Sequence, residues 1–80
     1  MINISDTIRK LMIDKKITIT QLSEAVGIAQ PSLSRKLNNS NEDYKIAYLQ
    51  KICHAMDCSI KIDIINNSNG KTLYTITDKE

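Results

Sequence analysis

Six residues within one short stretch could do chemistry together: Gln30, Pro31, Ser32, Arg35, Lys36 and Asn39. At helical spacing they share an outer surface, and no acidic residue stands anywhere between Glu24 and Glu42. Arg35 is long enough to bridge the two acceptors of a guanine, Gln30 can pair with adenine, and Pro31 offers apolar contact to a thymine methyl. Ser32, Lys36 and Asn39 suit base edges or backbone phosphates, with no choice between them. Arg35 and Lys36 could also merely solvate an exposed helix, but an acid-free face is better fitted to a partner rich in acceptors and negative charge. Double-stranded DNA is such a partner.

Positioning these side chains takes two short helices held at a tight turn, which residues 18–39 are built to form. The Thr18 hydroxyl can accept from the Gln21 amide while the Gln21 side chain reaches back, a capping box that starts the first helix. Gly27 ends it, because a sharp exit needs a residue tolerant of positive φ. The second helix begins near Gln30, and Pro31 fits only its first turn, where no intrahelical N–H is required. Ile28 and Leu33 can close as a hydrophobic staple across that start. Leu22, Val26, Ile28, Leu33 and Leu37 supply the apolar seam between the two helices.

The string Thr18-x-x-Gln21-Leu22-Ser23-x-x-Val26-Gly27-Ile28-x-Gln30-Pro31-Ser32-Leu33-Ser34-Arg35-x-Leu37-Asn38 resembles the helix-turn-helix of the Cro- and phage-repressor-like (XRE) family of bacterial DNA-binding proteins. The resemblance runs from about Ile8 to Cys58. It implies a lambda-repressor-like domain whose third helix enters the major groove, in a transcriptional regulator of bacterial or phage type, a repressor. Four positions depart from the family habit: Ala29 replaces a capping Ser or Thr, Ser23 an Ala, Ile19 a phosphate-binding Gln and Asn39 a Gly.

Charge agrees in its placement more than in its amount. The formal charge is only +2, yet up to Cys58 there are eight Lys and Arg against six Asp and Glu, while residues 59–80 hold three of each. All the excess lies in the helical part. Eighty residues make one small domain whose core is marginal unless a disulfide, a metal or a partner helps, so self-association is expected. No apolar run is long enough to span a bilayer and no signal-peptide pattern follows Met1, so a cytoplasmic protein with no membrane partner is expected.

Two cysteines, Cys53 and Cys58, sit badly for pairing with each other and read as small buried hydrophobes. Cys53, His54 and Cys58 lack a fourth ligand, and adjacent Cys53 and His54 point to different faces, so neither a metal nor another cofactor is expected. His54, the one histidine, reads as a surface residue.

The remaining elements follow from periodicity. Asn3 or Ser5 caps a first helix to about Lys15, with Ile4, Ile8, Leu11 and Met12 inward. After a polar loop, Asp43 can cap a fourth helix from about Tyr44 to Met56. From Ser59 the period falls to two, and Ile60, Ile62 and Ile64 are followed by a second β-rich run over residues 72–77. A three-residue loop Ser68-Asn69-Gly70 sets Ile64 opposite Tyr74 and Ile62 opposite Ile76. The bundle can cover that face but hardly the other, which leaves Ile65 and Leu73 as a dimer interface; residues 78–80 read as a frayed tail.

The fold class expected is therefore mainly α: four helices in a helix-turn-helix domain over residues 1–58, then a C-terminal two-stranded antiparallel β-hairpin over residues 59–80 that joins a homodimer. The leading function is sequence-specific double-stranded DNA binding. A second reading is an antitoxin or other interaction module whose hairpin holds a toxin or another protein partner. An enzyme has no support, since no phosphate loop, activated nucleophile or paired carboxylates are present.

Overall fold

Helix α1 (Ile4–Lys15) starts where the Asn3 carboxamide accepts from the Asp6 amide, and the computed structural model, which describes residues 3–78, thus assigns the cap to Asn3 and not to Ser5. It closes on Lys16 in the left-handed region, and Lys16 N and Ile17 N donate to Ile13 O and Met12 O, two of the last four carbonyls of the helix. Helices α2 (Ile19–Val26) and α3 (Gln30–Leu37) follow, then α4 (Ile46–Ala55) and an antiparallel hairpin of β1 (Lys61–Ile65) and β2 (Thr72–Thr77). The mainly α class with a C-terminal hairpin stands as expected.

The α2 capping box forms as its residues dictate: Gln21 N donates to Thr18 Oγ1 at 3.1 Å and Thr18 N donates to Gln21 Oε1 at 2.9 Å. Gly27 then takes φ +80° and turns the chain into α3. No atom lies within 4 Å of where a Cβ would sit at Gly27, so the cost of a side chain there comes from the backbone alone. Gly27→Ala is expected to destabilise the fold by roughly 1 kcal/mol or more. Urea unfolding checks this, and an unchanged midpoint would contradict the turn.

One apolar cluster holds the helices: Ile8, Leu22, Leu33, Leu37, Tyr44, Ile52 and Met56. Tyr44 is the unexpected member. It belongs to the core and not to a helix start, its ring buried and its hydroxyl donating to Lys36 O at 3.0 Å. Because Tyr44 is drawn inward on extended chain, α4 cannot begin until Ile46, and Lys45, not Asp43, stands at its N-cap without a side-chain bond. The Ser5 hydroxyl, 1% exposed, lies 2.6 Å from the Tyr44 hydroxyl and donates toward Lys36 O and Asn39 O, both at 2.9 Å. This polar knot ties α1 to the end of α3.

In the hairpin, Ile62 pairs with Ile76 and Ile64 with Tyr74, as the alternation required. The loop differs. Asn66 N donates to Lys71 O and Gly70 N to Asn66 O, so residues 67–70 form a four-residue loop, held by Asn66 and Asn69 carboxamides that accept from Ser68 N and Lys71 N. Ile65 then lies opposite Thr72, and the extra residue Leu73 forms a bulge that restores the register. Gly70 does take the left-handed conformation, at φ +72°.

Two expectations for this segment fail. Asp78 is not frayed: its carboxylate accepts from Ile60 N at 3.0 Å and pairs with His54 Nε2 at 2.7 Å, pinning both ends of the hairpin to α4. The Ile60 amide, ahead of His54, holds the Asp78 carboxyl below the ordinary carboxylate range. Nor does the bundle cover the first apolar face, since Ile64, Tyr74 and Ile76 are 48%, 72% and 55% exposed, alongside Ile65 and Leu73 at 52% and 54%. Pinned at its base, the hairpin projects as an arm. The Cα radius of gyration is accordingly 14.1 Å, against about 12 Å for a compact chain of this length.

Candidate nucleic-acid interface

The aim of α3 is set from behind, by Leu33 and Leu37 buried in the core and by the Gly27 turn in front of it. With that side fixed, Pro31 and Arg35, one helical turn apart, are both exposed. Arg35 has no hydrogen-bond or ion-pair partner among the described residues, and Ser32 is half-buried beside it at a shallow cleft of about 270 Å³. Gln30 is exposed at the first position of the helix, and its Oε1 accepts from the Thr20 hydroxyl on α2 at 3.0 Å. A carboxamide held through its oxygen keeps its NH₂ available to a ligand.

The other two expected residues are engaged elsewhere. Lys36 Nζ lies 2.9 Å from Glu42 Oε2 and 5.1 Å from the Tyr48 ring centroid, so its charge turns toward the loop after α3. The Glu42 hydrogen bond raises the Lys36 pKa above its ordinary value, and the same bond lowers that of Glu42. Asn39 organises that loop: Oδ1 accepts from Asn41 N at 3.0 Å and Nδ2 donates to Glu42 Oε1 at 3.3 Å. Gln30, Pro31, Ser32 and Arg35 thus form one outward group, while Lys36 and Asn39 bond Glu42, which lines the same cleft as Ser32 and Arg35.

Thr20 and Glu42 were missed by sequence reasoning. Glu42 left a trace, being the first acid after α3, six residues beyond Lys36. Thr20 left none, because its contact with Gln30 exists only once the turn folds α3 against α2. The departures from family habit also find local accounts. Ser23 satisfies its buried hydroxyl by donating to Thr20 O at 2.9 Å. Asn39 needs no Gly, since among non-glycine residues only Lys16 and Asp57 of the described chain have positive φ. At Ala29 the cap is indeed missing, and α3 starts with no side-chain bond to its first amides.

Away from α3, Cys53 and Cys58 are free thiols, half-buried and not fully inside as expected, with the Cys53 thiol pushed up in pKa by burial. The described residues contain no group of three or more His, Cys, Asp or Glu arranged to hold a metal, and no helix long and apolar enough to cross a membrane.

Residues 7–66 match the family model of the Cro/C1-type HTH DNA-binding domain. Over 48 residues the chain is 34% identical to YozG, an uncharacterized HTH-type transcriptional regulator of Bacillus subtilis (strain 168); the match covers 60% of this chain and 57% of that protein. No solved structure matches the chain. The family match takes in all of α2, the Gly27 turn and α3, with the outward group of Gln30, Pro31, Ser32 and Arg35, and on that basis the chain belongs to the Cro/C1-type helix-turn-helix DNA-binding family.

Proposed function

We propose that this protein is a cytoplasmic transcriptional regulator that binds double-stranded DNA sequence-specifically as a homodimer, laying α3 in the major groove and acting as a repressor. The observation that carries the reading is Arg35, an exposed cation without a hydrogen-bond or ion-pair partner among the described residues, one turn from Pro31 on the outer side of α3. Gln30 and Ser32 read bases beside it. Lys36 and Asn39 reach the backbone by exchanging their Glu42 contacts for phosphates. The domain over residues 1–58 does the reading and residues 59–80 join the two copies, with Ile65 and Leu73 in the interface.

Selection of bound duplexes from random DNA tests the first part: the expected outcome is a near-palindromic site with half-sites about one helical turn, roughly 34 Å, apart. Sedimentation at tens of micromolar tests the second. A monomeric chain would favour the reading in which the exposed apolar hairpin holds a toxin or another protein.

Thr20→Val supplies a finer check. Losing the hydroxyl frees the Gln30 carboxamide to rotate, so discrimination at the base Gln30 reads is expected to fall by roughly 0.5 to 1.5 kcal/mol. Competition gel shifts with duplexes varied at that base measure it, and thermal unfolding should move little.

A further inference from the structure

An acid stands at the cleft where α3 presents its cations. Residues 38–42 fold back on the end of α3, with Asn41 N donating to Asn39 Oδ1 at 3.0 Å and Glu42 N to Asn39 O at 3.2 Å, and so bring the Glu42 carboxylate to Lys36. The carboxylate gives one oxygen to each neighbour: Oε2 lies 2.9 Å from Lys36 Nζ, and Oε1 accepts from Asn39 Nδ2 at 3.3 Å. It also lines the shallow cleft that Ser32 and Arg35 share. An ammonium and a carboxamide NH₂ gripping two oxygens of one anion is the hold that a backbone phosphate would receive from the same pair. The Lys36 side chain stays 36% exposed and that of Glu42 20%, so the ion pair is open to water and adds little to the fold. The Tyr48 ring supports the ammonium at 5.1 Å, yet its buried hydroxyl has no hydrogen-bond partner among the described residues, so the pair does not sit in a completed network.

We infer that Glu42 is an internal stand-in for a DNA phosphate, held by Lys36 and Asn39 in the free protein and displaced from them when α3 docks, so that it limits how tightly each chain grips the DNA backbone. Resting on the docking proposed above, this role follows from charge balance. An ammonium that reaches a phosphate from water expels a counterion from the DNA, and that release drives backbone binding. Lys36 comes from Glu42 instead. The carboxylate left behind takes up a cation of its own, so the exchange releases no net salt, and the bared acid then lies beside the DNA, where like charges repel. Arg35 makes no such contact among the described residues. Base reading is therefore untouched while the hold on the backbone is weakened, on matched and unmatched duplex alike.

Glu42→Gln removes the charge and keeps the shape. In fluorescence anisotropy it should tighten binding to the selected and the scrambled duplex by a similar factor, leave the ratio between them unchanged, and leave thermal unfolding nearly unmoved. Because Lys36 then releases a counterion on docking, the plot of log affinity against log salt should steepen by about 0.9 per chain, and the variant's advantage should shrink about 3.5-fold per chain between 50 and 200 mM salt. Lys36→Met is made in both backgrounds. Without Lys36 most of the Glu42→Gln gain should vanish, since the acid has little left to hold. An equal gain with and without Lys36 would make Glu42 a mere surface charge and overturn the inference. An unchanged salt slope would do the same, as would weaker binding, which would make Glu42 the residue that positions Lys36 for its phosphate. If the wild-type chain binds neither duplex, the docking itself is wrong and the role of Glu42 goes with it.

Discussion

Replacing Arg35 by Ala is expected to weaken binding to the best DNA site by roughly 1 to 3 kcal/mol per half-site, while binding to scrambled duplex barely changes. A guanidinium that bridges two acceptors on one base makes that contact only where the base is correct, so its loss falls on specific binding alone. A phosphate contact would be lost on every sequence alike. At 1.4 kcal/mol per factor of ten, the loss is about fivefold to 150-fold for one half-site and is squared for a two-fold complex. The position supports the assignment: Arg35 is exposed, has no internal partner among the described residues, and lies on the face opposite Leu33 and Leu37. Lys36, one residue on, is the internal control. Its ammonium is already held by Glu42 at 2.9 Å, so Lys36→Ala should cost less specificity than Arg35→Ala. Gel-shift titrations of both variants on selected and scrambled duplexes, at one salt concentration, decide it. An equal loss on both duplexes would move Arg35 to the phosphates.

What the sequence makes legible is whatever is settled within a few residues. The Thr18–Gln21 capping box, the Gly27 turn, Pro31 in the first turn of α3 and the pairing of Ile62 with Ile76 each follow from neighbours or from strict alternation. What it hides depends on contacts across the chain. Tyr44 reads as a helix start by local pattern, yet a buried hydroxyl on Ser5, 39 residues away, draws it into the core and delays α4. Asp78 looks like tail until the hairpin closes and brings Ile60 N to it across 18 residues. The site divides the same way. The outward group on α3 is read from helical spacing, whereas the diversion of Lys36 to Glu42 and the hold of Thr20 on Gln30 appear only when loop and helices meet. Burial of the arm was misjudged because apolar alternation says which residues share a face, not whether the same chain covers it.

Ser5→Ala is expected to cost roughly 1 kcal/mol of stability, more than an ordinary surface serine, because it removes a buried hydroxyl that bonds Lys36 O, Asn39 O and the Tyr44 hydroxyl. The knot has two hydroxyl protons, one on Ser5 and one on Tyr44, and it serves the carbonyls of Lys36 and Asn39 besides the 2.6 Å contact between the hydroxyls. When Tyr44 donates to Ser5, the Ser5 proton goes to a carbonyl; when Tyr44 donates to Lys36 O, the Ser5 proton is left for Asn39 O. Either arrangement needs both hydroxyls. Without Ser5, Asn39 O loses its side-chain donor and keeps only the Glu42 amide, and the buried Tyr44 hydroxyl loses its closest neighbour. Tyr44→Phe removes the other proton, so the double variant should cost less than the two singles together, by a coupling of roughly 0.5 kcal/mol or more. Both carbonyls belong to the end of α3 and its exit, so the reading helix should fray there as well. Hydrogen exchange at the amides of Asn38 and Asn39, which close on Ser34 O and Lys36 O, ought to quicken in Ser5→Ala more than exchange in α4 does. Additive costs in the urea cycle, or unchanged exchange at those amides, would mean that Ser5 is merely a small residue filling space and that apolar packing alone holds α3 against α1.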